Sequence, residues 1–261
     1  MRLTRGFKRR QFQGEVFLIV GGTSGYGREA AIHLAQGGAD VVIAARNAPS
    51  PKGLGSLPRA FSRQGRIEFR PCDLTDESSV ESTVRAVVAD LGRLSGCVIT
   101  AASPYRAERP TGLMDIPTSE WNTLIATNVT GSLLVAREAL RAMLSTPQGG
   151  QVVLFTSRAG WASTLGHGPY NVSKAALNAL CASLANEAQY LSPAGLVRVN
   201  AIEPGEARTG MNAGSGVHPR VLMPLLMWLL GQRTGGPNGQ VYSRDGLALS
   251  LAYDHLVSGN P

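Results

Sequence analysis

Five consecutive apolar residues, Val16 to Val20, run into Gly21 and Gly22. A short unbroken apolar run closed by glycines fits a strand covered on both faces, as in a parallel sheet. A helix is predicted from near Tyr26, and the alternation then recurs. Asp40 to Ala45 and Arg66 to Arg70 read as strands, while Val80, Val84, Val87, Val88 and Leu91 return at helical spacing. Further strands are predicted at Gly96 to Ala101, Gln151 to Thr156 and Leu196 to Ile202. Helical patterns fill the gaps from about Ser119 to Met143 and from Tyr170 to about Tyr190. Strands separated by helix-length segments need crossover connections, so the pattern predicts an α/β fold with a doubly wound parallel sheet, three layers deep (α/β/α).

Length and composition narrow this picture. A chain of 261 residues suits one domain with one continuous core, and 43% hydrophobic residues with 16% charged ones argue against disorder. Three cysteines, Cys72, Cys97 and Cys181, have neither CxxC spacing nor the even count of a secreted disulfide framework, so reduced thiols and no metal site are expected. The formal charge of +7 is concentrated at the start: Arg2, Arg5, Lys8, Arg9 and Arg10 precede the first acid, Glu15, and the remaining 20 bases nearly balance 18 acids. A near-neutral body lacks the electrostatic excess for nucleic acid. Val221 to Leu230, the longest apolar run, is too short to span a bilayer. The chain is therefore read as a cytoplasmic protein with a basic tail at 1–13 and a domain at 14–261. Asn47 to Leu57 is the least regular stretch of the first half. Residues 206–238, with Met211, Met223, Leu225, Leu226, Met227 and Trp228, are expected to form a mobile substrate lid; a helix packed on the core or on a partner subunit is the alternative.

Candidate chemistry sits at the strand ends. Gly21-Gly22-Thr23-Ser24-Gly25-Tyr26-Gly27 follows the first strand and opens the first helix, where a Rossmann-like fold brings backbone N–H groups to a pyrophosphate. A turn that binds nothing is the bland alternative. Where an NAD-binding unit would place an acid after its second strand, this chain has Arg46 beside Asn47; guanidinium clasps a 2′-phosphate that an acid would repel, although a solvated loop arginine reads the same way. Tyr170 and Lys174 stand one turn apart on a helix face. Alone the pair also fits a core tyrosine beside a surface lysine, but Ser157 lies thirteen residues earlier at a strand end and Asn128 lies in the preceding long helix. Only Lys8, Lys52 and Lys174 among the 25 basic residues are lysines, so a lysine at this place is not generic usage. His167 and Arg158 are given no role.

In this combination the sequence resembles the short-chain dehydrogenase/reductase family in its compact single-domain branch, over residues 14 to about 210. The family's TGxxxGxG turn falls on Val20 to Gly27 and its catalytic Asn, Ser, Tyr and Lys on Asn128, Ser157, Tyr170 and Lys174. The resemblance further implies cofactor contacts at Asp73, Leu74, Ala101 and Ala102, at Pro204-Gly205 beside the nicotinamide, and at Ala207 and Thr209. Asn238 to Val241 resembles the family's last strand. Val20 replaces the leading threonine, and Thr100-Ala101-Ala102-Ser103 stands for Asn-Asn-Ala-Gly, which removes asparagine hydrogen bonds of about 1 kcal/mol each. After Gly246 the chain leaves the family pattern.

The resemblance implies an oxidoreductase using NADP(H), with hydride passing between nicotinamide and a ketone or secondary alcohol. Ser157 would hydrogen-bond the substrate oxygen, Tyr170 would act as general acid or base, and Lys174 would grip the ribose and stabilise phenolate. Asn128 would hold a water that relays protons to Lys174. An apolar small-molecule carbonyl or alcohol as substrate and a homodimer or homotetramer are expected. Two other readings remain: a 3-oxoacyl-thioester reductase acting on a carrier protein, and a catalytically silent NADP-binding sensor or scaffold.

Overall fold

The structure, a computed structural model, describes residues 11–49, 65–103, 113–162, 167–192, 194–212 and 214–249. Its centre is an eight-stranded sheet of order β3-β2-β1-β4-β5-β6-β7-β8. The strands are β1 (Val16–Val20), β2 (Asp40–Ala45), β3 (Ile67–Pro71), β4 (Gly96–Ile99), β5 (Gly150–Phe155), β6 (Val197–Glu203), β7 (Val241–Ser243) and β8 (Ala248–Leu249). All neighbours are parallel except β7 and β8. The doubly wound, three-layer arrangement predicted from the hydrophobic pattern is the arrangement found.

Strand β1 shows why an unbroken apolar run was needed. Val16, Leu18 and Val20 enter one core with helices α2 (Glu77–Leu91), α4 (Gly131–Leu144) and α5 (Gly168–Leu191), whereas Phe17 and Ile19 enter a second core with α1 (Gly25–Gln36) and α6 (Met223–Leu230). Side chains alternate across a strand, so a sheet covered on both sides needs an apolar residue at every position. Each such side chain contributes roughly 1.5–3 kcal/mol on burial. The chain order reverses at β1, with β2 on one side and β4 on the other. The C-terminal ends of those strands therefore open a crevice of the kind that binds ligands in such sheets.

Four expectations are corrected here. The helix expected from Ser119 to Met143 is interrupted: α3 (Thr118–Ile125) passes into a π-helical turn, Ala126–Thr130, before α4. The turn is stabilised by tertiary bonds of Asn128, which no periodicity reports. The tail does not extend to residue 13. Phe12 is 2% exposed, meets Phe17 edge-on at 5.4 Å and donates its backbone N–H to the Gly37 carbonyl, so the domain begins before residue 14. Residues 1–10 lie outside those described, as does most of the irregular stretch Asn47 to Leu57. Within 206–238, α6 is a core helix: Met223, Leu225, Leu226, Met227, Leu229 and Leu230 are all buried. The exposed large apolar residues of that segment are Met211, Val217 and Val221. The last parallel pairing, of β6 with β7, starts at Val241, and Asn238 instead accepts from the Val199 N–H of β6 through its side chain.

Candidate active site

The glycine-rich turn leaves β1 at Val20 and enters α1 at Gly25. Gly21 has φ +90°, a conformation that favours glycine, and a Cβ there would lie 2.5 Å from the Ala101 nitrogen. Gly27 is held by proximity, since its Cβ would stand 2.6 Å from the Gly21 carbonyl. The turn is thus pressed against the loop after β4, where Thr100 braces it. Its hydroxyl lies 3.2 Å from the Val20 carbonyl and 3.1 Å from that of Gly21. Ser24 caps α1 geometrically but makes no side-chain cap hydrogen bond, and α1 has no acid in its first turn. The first N–H groups of a helix have no partner within it, so this end of α1 offers donors and a positive dipole end to an anion.

At the end of β2, Arg46 and Asn47 are exposed beside the turn. Asp73 follows β3. The Thr75 backbone N–H at 2.9 Å and hydroxyl at 2.7 Å hold its carboxyl below the ordinary range, with Arg46 adding a smaller pull in the same direction. Arg46 and Asp73 therefore face one neighbourhood at the ends of β2 and β3. Leu74 points the other way, into the core: a Cβ on Gly131 would lie 2.0 Å from Leu74 Cδ1. Any contact of Leu74 with a cofactor is left to its backbone. Ala207 is buried likewise, while Thr209 reaches the turn, with Cγ2 3.1 Å from the position of a Gly25 Cβ.

The four polar residues expected to act together converge from three elements. Ser157 follows β5, and its hydroxyl is hydrogen-bonded with that of Tyr170 on α5. Burial pushes the Tyr170 phenol above its ordinary value, and the Ser157 bond pulls it partly back. Lys174, one turn below, is buried at 3% exposure, donates to the Phe155 carbonyl at 2.9 Å and lies 5.4 Å from the Tyr170 ring centre. Burial lowers its pKa to about 8. Lys174 gives one of its hydrogen bonds to the backbone, and the Ser157 hydroxyl is the side chain that pulls the Tyr170 phenol down.

Asn128 is fully buried and acts as a tie. Its Oδ1 accepts from the Ser103 N–H at 2.7 Å, and its Nδ2 donates to the Ser103 carbonyl and to Ser173 Oγ, each at 3.1 Å. Ser173 Oγ in turn bonds the Tyr170 carbonyl at 2.9 Å. The loop after β4 is thereby connected to the backbone of the helix that carries Tyr170. Beyond β6, Pro204 and Gly205 form the opposite wall. The Tyr26 hydroxyl donates to the Pro204 carbonyl at 3.0 Å, and the Gly205 N–H donates to Glu203 Oε1 at 2.8 Å. Thr100, Ser173, Phe155 and the hydroxyl of Tyr26 are parts of this site whose roles sequence reasoning missed: Thr100 and Tyr26 bond backbone carbonyls remote in sequence, Ser173 links Asn128 to the Tyr170 carbonyl, and the Phe155 carbonyl accepts from Lys174. Among the described residues no cluster of His, Cys, Asp or Glu could hold a metal ion.

The N-terminal end of α1 beside the glycine-rich turn, with Arg46 exposed nearby, has the chemistry to hold an anionic group such as a phosphate. Comparison with known proteins agrees. A family model described as short chain dehydrogenase matches residues 15–218. An uncharacterized NAD-dependent oxidoreductase of Mycobacterium tuberculosis is 33% identical over 209 residues, covering 76% of this chain and 73% of its own length. The (-)-trans-carveol dehydrogenase of Rhodococcus erythropolis is 32% identical over 224 residues, covering 81% of this chain and 77% of its own. The solved structure of a short-chain type dehydrogenase/reductase from Mycobacterium ulcerans matches with a TM-score of 0.77 and 28% identity, over 89% of this chain and 88% of that one. The chain belongs to the short-chain dehydrogenase family, oxidoreductases that interconvert hydroxyl and carbonyl groups with a nicotinamide cofactor.

Proposed function

We propose that the protein is an NADPH-dependent reductase of an apolar ketone, reversible toward the secondary alcohol, with Tyr170 as the proton donor. The observation that carries this reading is the hydrogen-bonded Ser157–Tyr170 pair at the mouth of the crevice, backed by a lysine buried one turn away. Bound NADPH would supply the hydride. A ketone oxygen docked between the two hydroxyls gains negative charge as the hydride arrives, and preorganised donors stabilise that charge without reorganisation. Ser157 donates to the oxygen while Tyr170 transfers its proton to it. Because burial keeps the phenol protonated through neutral pH, Tyr170 stands ready as an acid. The reverse oxidation needs the phenolate and is favoured as pH rises. Lys174 holds its proton at pH 7 and gives it up near its pKa of about 8, which suits it to resupply Tyr170.

Exposed Arg46 supports the choice of NADPH, since a charge-assisted bond to a 2′-phosphate contributes roughly 1.5–3 kcal/mol. The competing reading, NAD, rests on the name of the mycobacterial relative. A secondary alcohol substrate is in keeping with the relative named for carveol. The proposal extends to a homodimer or homotetramer acting in the cytoplasm, and to residues 206–222, which carry exposed Met211, Val217 and Val221, as the part of the expected lid that can move over substrate. Loss of NADPH absorbance over a ketone panel that includes carrier-bound 3-oxoacyl thioesters tests it. Turnover of an apolar ketone that Tyr170→Phe abolishes is the expected result; tight NADPH binding with no turnover of any carbonyl would favour a silent binder.

A further inference from the structure

Tyr26 stands where the glycine-rich turn becomes α1, yet its hydroxyl crosses the crevice to a segment 178 residues away in sequence. It donates to the Pro204 carbonyl at 3.0 Å and lies 3.3 Å from that of Gly205. The ring rests on Phe155, with ring centres 5.6 Å apart, and the Phe155 carbonyl is the one that accepts from Lys174. Pro204-Gly205 is gripped from other sides too. Glu203 accepts from the Gly205 N–H, and Arg244 lies alongside, donating to the Glu206 carbonyl at 3.3 Å. Gly205 itself has φ +64°, and a Cβ there would meet the Arg244 guanidinium at 3.2 Å. Burial raises the Tyr26 phenol to about 12, so this donor stays protonated over the working range of pH.

We propose that Tyr26 is a positioning residue for the cofactor: its hydroxyl, by holding the Pro204 and Gly205 carbonyls from across the crevice, presets the wall against which the nicotinamide half docks. The proposal rests on the nicotinamide-cofactor reading and adds to it a residue that acts on one half of the ligand only. The physical reason is preorganisation. A loop already fixed in its binding geometry costs nothing further to order, whereas a loop that samples other geometries binds with an apparent Kd raised in inverse proportion to its competent fraction. A hydrogen bond of ordinary strength changes such a population about fivefold.

The test is equilibrium binding to wild type, Tyr26→Phe and Tyr26→Leu. The full dinucleotides NADPH and NADH are compared with adenosine 2′,5′-bisphosphate and AMP, which carry the adenine half without nicotinamide. Tyr26→Phe keeps the ring on Phe155 and deletes only the strut. The expected result is a three- to tenfold rise in Kd for the preferred dinucleotide, with the matching half-ligand bound as by wild type. Tyr26→Leu should show at least the same selective loss. An unchanged dinucleotide Kd in Tyr26→Phe overturns the proposal, and so does an equal loss for dinucleotide and half-ligand, which would mark a general structural role. Failure of the cofactor reading would look different, because wild type itself would then bind none of the four nucleotides and the proposal would fall with it.

Discussion

Replacing Lys174 with methionine probes the most costly feature of the site, an ammonium with only 3% of its residue surface exposed. Burial lowers its pKa from 10.5 to about 8. In the unfolded chain the group titrates near its ordinary value of ~10.4. Between those two values the unfolded chain keeps a proton that the folded chain has released, so the stability of wild type rises with pH across that window. Below about pH 8 both states are protonated and the folded protein bears the whole cost of the buried charge. At ~1.36 kcal/mol per pH unit the full shift corresponds to about 3 kcal/mol, and integration from about pH 7 to about pH 9.5 leaves a change of about 2 kcal/mol. Methionine has similar reach, packs in apolar surroundings and does not titrate. The bond to the Phe155 carbonyl is lost at both pH values and so drops out of the comparison. Urea unfolding of cofactor-free wild type and Lys174→Met at these two pH values should show wild type gaining about 2 kcal/mol on the variant at the higher pH. A stability difference that stays constant within about 0.5 kcal/mol would refute the claim that a charged lysine is buried there at neutral pH.

Tyr170→Phe keeps the ring and removes the proton donor, so ketone reduction should fall by about 10²–10⁴-fold in kcat with NADPH affinity little changed; steady-state kinetics beside NADPH titration decides it. Arg46→Asp should shift preference from NADPH toward NADH by about ten- to a hundredfold in the ratio of kcat/KM values, and a wild type that binds both cofactors equally would reduce Arg46 to a surface charge. Thr100→Val, which deletes both bonds to the turn, should cost about 0.5–1.5 kcal/mol in urea unfolding and weaken cofactor binding, with no loss of either sort if the hydroxyl braces nothing. Phe12→Ala should destabilise the fold by roughly 3–5 kcal/mol, whereas a residue in a loose tail would cost next to nothing.

The sequence by itself determined the strands β1 to β6 and the order in which helices connect them, because burial on both faces of a parallel sheet imposes an apolar run on each central strand and helical spacing on each crossover. It also located the turn, Arg46, and the Tyr170–Lys174 pair, since those depend on residues close together in the chain. What only the tertiary structure decided depends on partners far apart. Asn128 finds Ser103 and Ser173, and the long helix takes a π turn where it does so. Thr100 reaches the Val20 carbonyl because β4 runs beside β1. The apolar run at α6 resembles a lid in one dimension and is core in three, since its neighbours α1 and β5 are distant from it in the chain. Lys174 reads as a cation in the sequence; that burial costs it its ordinary pKa follows only from the walls that fold around it, as periodicity along a chain carries no record of which side chains close off water.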